Sequence, residues 1–162
     1  MNTRANYQKL APASFHALLA FSKSIEGSPL GPGLIDLVHI RASQMNGCLF
    51  CLDMHSKEAR KRGERELRLY HLAAWRESPL FSAREKAALA WTERLTAPTA
   101  HGSHGIEDED YAQVATEFNE KEISDLTLVI AGINAWNRLG IAFRPTPGAL
   151  DKVMGLDQLG LQ

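Results

Sequence analysis

Asn46-Gly47-Cys48-Leu49-Phe50-Cys51-Leu52-Asp53-Met54-His55 joins two helical patterns across a single break and holds both cysteines of the chain. Upstream of it, Leu34, Leu37, Val38, Ala42 and Met45 recur at three- and four-residue steps, with the stem of Arg41 on the same stripe, as in a helix with one apolar face. Asn46-Gly47 stops that helix, because glycine readily enters the left-handed conformation that closes a helical end. A second helix is expected from about Cys48 to Arg62, with Gly63 as its stop. The C-x-x-C spacing then falls in that helix's first turn.

Helical patterning covers almost the whole chain. An amphipathic segment runs from Ala13 to Ile25 and ends at Gly27-Ser28-Pro29, and Gly31-Pro32-Gly33 marks the next start. Glu64 to Glu77 is helical in pattern and closes at Ser78-Pro79. Ser82-Ala83-Arg84-Glu85 has capping-box spacing and opens a helix to about Thr96. Pro98 to Gly105 reads as a loop and Asp108 to Phe118 as another helix. Asn119-Glu120-Lys121-Glu122, a second cap-like spacing, opens a long helix through Leu126, Val129, Ile130, Ile133, Ala135 and Trp136 to about Leu139. Pro145-Thr146-Pro147-Gly148 ends regular structure, and the tail beyond it is expected at the periphery or against a partner chain. No sustained alternation argues for strands, and no linker or repeat divides the chain. The expected fold is all-α, a bundle of six to eight helices in one domain over residues 1–162, with its core at about 13–145.

The 162 residues fit one domain and suffice to bury about two-thirds of the surface of an unfolded chain of this size. A hydrophobic share of 44% supplies a core without covalent staples, and a net charge of −1 argues against a nucleic-acid binder. No stretch approaches the roughly 18 consecutive apolar residues of a membrane span. The best candidate, Leu126 to Trp136, is shorter and contains Asn134. Met1-Asn2-Thr3-Arg4-Ala5-Asn6-Tyr7-Gln8-Lys9 lacks the apolar segment of a signal peptide, so a cytoplasmic location without membrane attachment is expected. Structural disulfides are disfavoured in that compartment, which leaves catalysis or metal binding for the cysteine pair.

Thiols in the first turn of a helix meet unpaired N–H groups and the positive end of the dipole, both of which favour a thiolate. Cys48 is expected to be the more exposed sulfur and Cys51 to lie one turn deeper. Cys51 and His55 are four residues apart and share a helix face, so the imidazole can take the thiol's proton or protonate its leaving group. If the two helices fold back antiparallel about Met45-Asn46, Asp36 comes opposite His55, where its carboxylate would orient the ring.

Asp36, Cys48, Cys51 and His55, followed by Ser56-Lys57-Glu58-Ala59-Arg60, resemble the AhpD-like branch of the carboxymuconolactone decarboxylase superfamily, whose signature reads E-x11-C-x-x-C-x3-H. Leu37-Val38-His39-Ile40-Arg41-Ala42-Ser43-Gln44-Met45-Asn46-Gly47-Cys48 and Ile133-Asn134-Ala135-Trp136-Asn137-Arg138-Leu139 are similar to it as well, so the resemblance spans about residues 13–145. It implies an all-α fold assembled as a homotrimer or hexamer. It implies an antioxidant activity that reduces alkyl hydroperoxides or a disulfide substrate, with electrons from a dithiol such as a lipoyl group. Cys51 would attack peroxide to give a sulfenic acid, Cys48 would condense with it to a disulfide, and His55 and Asp36 would relay protons. No cofactor is expected, because the thiols themselves carry the electrons. Two positions depart from the pattern: Asp36 stands where the motif has Glu, and Phe50 stands where characterised AhpD proteins carry a second histidine. The decarboxylase branch does not use this cysteine pair.

Other readings compete at the same residues. Cys48, Cys51 and His55 make three of the four ligands of a structural zinc site, with Asp36 or another histidine as the fourth, yet no second C-x-x-C or H-x3-H accompanies them. The pair also reads as inert buried thiols, or as the redox sensor of a helical scaffold that does not turn over. His16, His39 and His71 are read as core-edge or surface residues. His39 is the most interesting of them, three residues after Asp36. His101 and His104 sit in a loop and are read as solvated. Asp108-Glu109-Asp110 complements a helix N-terminus. Trp75, Trp91 and Trp136 are read as core or interface. Asn134 and Asn137, polar residues in an apolar helix, are expected to fasten neighbouring helices or a subunit interface.

Overall fold

Proline and glycine set the borders of the first helices. The computed structural model describes residues 3–99 and 105–159. A single turn, α1 (Tyr7–Leu10), precedes α2 (Pro12–Ile25) and α3 (Pro32–Asn46), and each of the latter two starts on a proline whose missing N–H would have found no helical partner. Then follow α4 (Leu49–Lys61), α5 (Glu66–His71) with a 3-10 turn at Leu72–Ala74, α6 (Ala83–Thr96), α7 (Asp108–Ala115), α8 (Glu120–Phe143) and α9 (Asp151–Met154). Among the described residues there is no strand, and the fold is the expected all-α bundle. The one-turn pieces at the two ends, α1 and α9, lie outside the helical segments read from the sequence.

Both capping boxes form. Ser82 accepts from the Glu85 amide while Glu85 accepts from the Ser82 amide, and Asn119 and Glu122 do the same at the start of α8. The segment expected as one helix over Glu64–Glu77 instead tightens into a 3-10 turn after His71. Leu72 and Trp75, three residues apart, both insert into one apolar cluster, and a 3-10 turn aligns residues at that spacing. α8 runs one turn beyond the expected Leu139, because Phe143 stacks on Tyr7 at 5.1 Å between ring centres. Arg4 caps that end, donating from its backbone N–H to Phe143 O and from its guanidinium to Ala142 O, both at 2.9 Å.

α3 is buried on several sides. Leu34 and Val38 join a cluster with Trp91, Phe118, Leu126 and Ile130; Leu37 and Ile40 join one with Ala59, Trp75 and Leu89; Ala42 meets Ile133 and the two cysteines. α4, α6 and α8 surround it. α8 has the length and, with a mean hydropathy of 1.3 over its best window, the apolarity of a membrane span, and its apolar residues Leu126, Val129, Ile130 and Ile133 are buried in these clusters. The C-terminal tail lies on its own chain: Lys57 Nζ bridges Asp53 and Asp151 at 2.9 and 2.7 Å, Lys61 Nζ donates to Met154 O at 2.8 Å, and Leu156 is buried.

Gly47 has φ +68°, and a methyl group on its Cα would meet no atom within 4 Å. Gly47→Ala is therefore a test of backbone conformation alone. It is expected to lower stability by about 1 kcal/mol in a denaturant titration, with no change in the slope.

Candidate redox site

Gly47 and Cys48 build the site from the backbone. The Gly47 N–H donates to Gln44 O at 3.2 Å and the Cys48 N–H to Ser43 O at 3.0 Å, the paired bonds of a Schellman closure that satisfy the last carbonyls of α3. Cys48 is extended, at φ −87° and ψ 91°, and serves at once as the last residue of that closure and as the N-cap of α4, its carbonyl accepting from the Leu52 N–H at 2.9 Å. Its sulfur makes no close capping bond, but the Phe50 and Cys51 backbone N–H groups bear on it.

The two thiols are reduced and hydrogen-bonded at 2.8 Å. They are 2% and 3% exposed, so Cys48 is not the more accessible sulfur that its position at the helix start suggested. The overlying helix α8 accounts for this burial. Ile133 and Trp136 pack on the pair, and Gly140 lies so close that a Cβ there would stand 2.5 Å from Cys48 Sγ and 3.5 Å from Cys51 Sγ. The Cys48 thiol is drawn down to about 7, first by its hydrogen bond with Cys51 and, against the cost of burial, by the Cys51, Asn137 and Phe50 donors. Cys51 is pushed up by that same bond and by burial. The shared hydrogen bond thus favours loss of the first proton of the pair from the Cys48 side.

His55 is buried one turn after Cys51, and the carboxylate that holds its ring is Glu58. His55 Nδ1 and Glu58 Oε2 are 2.7 Å apart. The expected partner, Asp36, is close enough to act on His55 electrostatically, but its carboxylate is bound by Arg62 Nη1 at 2.6 Å. Two helices folded about Met45-Asn46 do bring Asp36 and His55 into one neighbourhood. Glu58, on His55's own helix at the i,i+3 position, reaches the ring first. Burial lifts the pKa of Asp36 despite Arg62; burial also acts upward on Glu58, but His55, Arg62 and Lys61 outweigh it and keep Glu58 ionised. An ionised Glu58 accepts from Nδ1–H, which orients the ring and leaves Nε2 free of the carboxylate. His39, with its ring centre 4.5 Å from that of His55, is kept neutral chiefly by burial.

A polar cluster flanks the other side of the cysteines. Asn46 Nδ2 donates to Asn134 Oδ1 and Asn137 Oδ1, each at 2.9 Å; Asn137 Nδ2 donates to Ser43 Oγ at 3.0 Å; and Arg138 Nη1 donates to Asn46 Oδ1 at 2.9 Å. The two asparagines do fasten helices, as their place in an apolar helix suggested. The sequence reading missed Glu58, Arg62, Gly140 and Tyr7. For Glu58 a signal existed in its spacing from His55, whereas Gly140 and Tyr7 come from segments remote in sequence. Tyr7 stands within electrostatic reach of both sulfurs, and its phenol is shifted upward mainly by burial. Among the described residues no group of three or more His, Cys, Asp or Glu converges as a metal site. His101 and His104 lie outside the described residues.

Two outcomes follow from this geometry. Thiolate absorbance at 240 nm should titrate with a midpoint near 7 for the first thiol. Because the charged form is the deprotonated one, alkylation should fall about tenfold for each pH unit below that midpoint and level off above it. Gly140→Ala gains about 1 kcal/mol of helix propensity yet forces a sulfur aside, so a net loss of about 1–3 kcal/mol is expected in thermal unfolding.

The matches to known proteins fit this architecture. Residues 12–94 match the model of the Carboxymuconolactone decarboxylase family. YdfG of Bacillus subtilis, itself uncharacterised, is 41% identical over 142 residues, which cover 88% of this chain and 95% of that protein. The crystal structure of an Agrobacterium tumefaciens protein of unknown function, with a suggested role as the antioxidant defence protein AhpD, superposes with a TM-score of 0.83 at 36% identity, over 90% of this chain and 97% of that one. The debrominase Bmp8 in complex with 2,3,4-tribromopyrrole shares the fold at 19% identity and a TM-score of 0.75, over 94% of this chain and 79% of that one. The chain belongs to the carboxymuconolactone decarboxylase family, within its AhpD-like branch.

Proposed function

We propose that the protein is a thiol-dependent reductase of organic hydroperoxides, regenerated by a dithiol. The observation that carries this reading is the pair of reduced sulfurs 2.8 Å apart, with the Cys48 thiol drawn down to about 7. His55 Nε2, with the opposite nitrogen held by Glu58, takes the Cys51 proton as Cys51 Sγ attacks the terminal peroxide oxygen. The S–O bond forms, the O–O bond breaks, and the alkoxide receives that proton from His55 and leaves as the alcohol. Cys51 is now a sulfenic acid. Cys48, already a thiolate, attacks the sulfenic sulfur; hydroxide departs, is protonated to water, and the disulfide closes. An external dithiol of the lipoyl type then returns two electrons and two protons by thiol–disulfide exchange and is itself oxidised to a disulfide. In this scheme the proton-relay carboxylate is Glu58, while Asp36 acts at one remove by holding Arg62 beside Glu58, 3.7 Å from it. A cytoplasmic homo-oligomer suits this chemistry, since the compartment supplies the reduced dithiol.

The lowered pKa of Cys48 also supports a second reading, in which Cys48 itself is the attacking sulfur. Single-turnover oxidation of the reduced protein by cumene hydroperoxide separates the two. On the primary reading, Cys51→Ser abolishes thiol loss, and Cys48→Ser accumulates a sulfenic acid that dimedone traps. A trapped sulfenic acid at Cys48 in the Cys51→Ser protein would exchange the two roles. A wild type inert both to hydroperoxide and to exchange with a dithiol would defeat the redox function.

A further inference from the structure

The mechanism leaves one buried polar group beside the sulfurs without a task. Asn137 is fully buried in α8, one helical turn before Gly140, whose bare Cα admits the Cys48 sulfur. An asparagine side chain offers two N–H donors and one carbonyl acceptor. The Oδ1 of Asn137 accepts from Asn46 at 2.9 Å, and one N–H of Nδ2 goes to Ser43 Oγ at 3.0 Å. The second N–H is therefore left over on a side chain that no water reaches. An unfilled donor at such a depth costs more than an ordinary hydrogen bond contributes, so it requires an acceptor. The face of α8 that carries Asn137 also carries Ile133, packed on the cysteines, and Gly140, whose Cβ would stand 2.5 Å from Cys48 Sγ, and the Asn137 amide bears on both thiols.

We propose that Asn137 donates its second amide N–H to the cysteine pair and acts there as a catalytic hydrogen-bond donor for the sulfur that carries negative charge. Its orientation is fixed on both sides, by Asn46 and by Ser43, so the donor is already aimed before charge develops and does not have to reorganise. Arg138 extends the same arrangement by holding the Asn46 carbonyl at 2.9 Å. Gly140 completes it, because any side chain there would displace Cys48 Sγ from the donor. The purpose of this donor rests on the redox reading above, whereas its effect on the thiols does not.

The test is a titration of the reduced protein by absorbance at 240 nm, with neither oxidant nor substrate present. Asn137→Ala is expected to raise the midpoint of the first thiol by about one pH unit. Ser43→Ala, which removes a neighbour and leaves the amide in place, should shift it much less. A merely structural role for Asn137 would lower thermal stability in both variants and leave the midpoint unmoved, and that result would overturn the assignment. Should Asn137→Ala fail to fold, the wild type still decides the matter: one of the two Asn137 side-chain N–H resonances must move with the thiol titration, and equal or absent movement of both refutes the proposal. Reaction of the wild type with cumene hydroperoxide is scored separately. A shifted midpoint in a protein inert to peroxide and dithiol would support the donor and defeat the redox function; an unshifted midpoint in a reactive protein would do the reverse.

Discussion

The close approach of α8 to the α3–α4 turn is the contact on which the site depends. It is made at Gly140, where the helix backbone comes so near the cysteine pair that a single methyl group would stand 2.5 Å from Cys48 Sγ. Glycine inside a helix costs about 1 kcal/mol in propensity, so it persists where a close contact requires it. Because α8 lies this near, Ile133 and Trp136 close over the sulfurs, Asn137 reaches them, and both thiols leave solvent. The left-handed turn at Gly47 is the matching constraint from below, since it brings Cys48 from the end of one helix to the start of the next.

The chemistry of the site follows from two polar layers placed on either side of the start of α4. One layer consists of donors: the first-turn N–H groups and Asn137, whose amide is oriented by Asn46. They favour negative charge on Cys48 in surroundings that would otherwise oppose it. The other layer is a partly buried ionisable cluster of His55, Glu58, Asp36 and His39, edged by the exposed Arg62. Its internal ion pairs keep Glu58 ionised and so fix the tautomer of His55. The donors lie on one side and the ionisable groups on the other, with Cys51 between them on the face of α4 it shares with His55.

Much of the fold was legible in the sequence because local chemistry dictated it. Ser82 with Glu85 and Asn119 with Glu122 are complete statements of a helix start, and both formed. Asn46-Gly47 predicted the turn, and the C-x-x-C spacing predicted that the sulfurs would meet. The failures share one cause. The shortened α5, the extended α8 and the one-turn α1 all depend on partners far along the chain: Trp75 on Glu93, Phe143 on Tyr7. Periodicity carries no information about such pairings.

The same division runs through the site. The sequence alone determined which residue types are present, that Cys48, Cys51 and His55 lie within two turns of one helix, and that Asp36 falls near His55. These conclusions need only helical geometry and the stop at Gly47. Only the tertiary structure decided that both thiols are buried, that Glu58 rather than Asp36 holds the imidazole, and that Asn137 and Gly140 face the sulfurs. Burial and hydrogen-bond partnership are properties of what packs against a helix, and here that is α8, nearly a hundred residues away in the chain. A carboxylate one turn away on the same helix and one across a helical pair look alike in sequence, and side-chain reach in the folded protein chose between them.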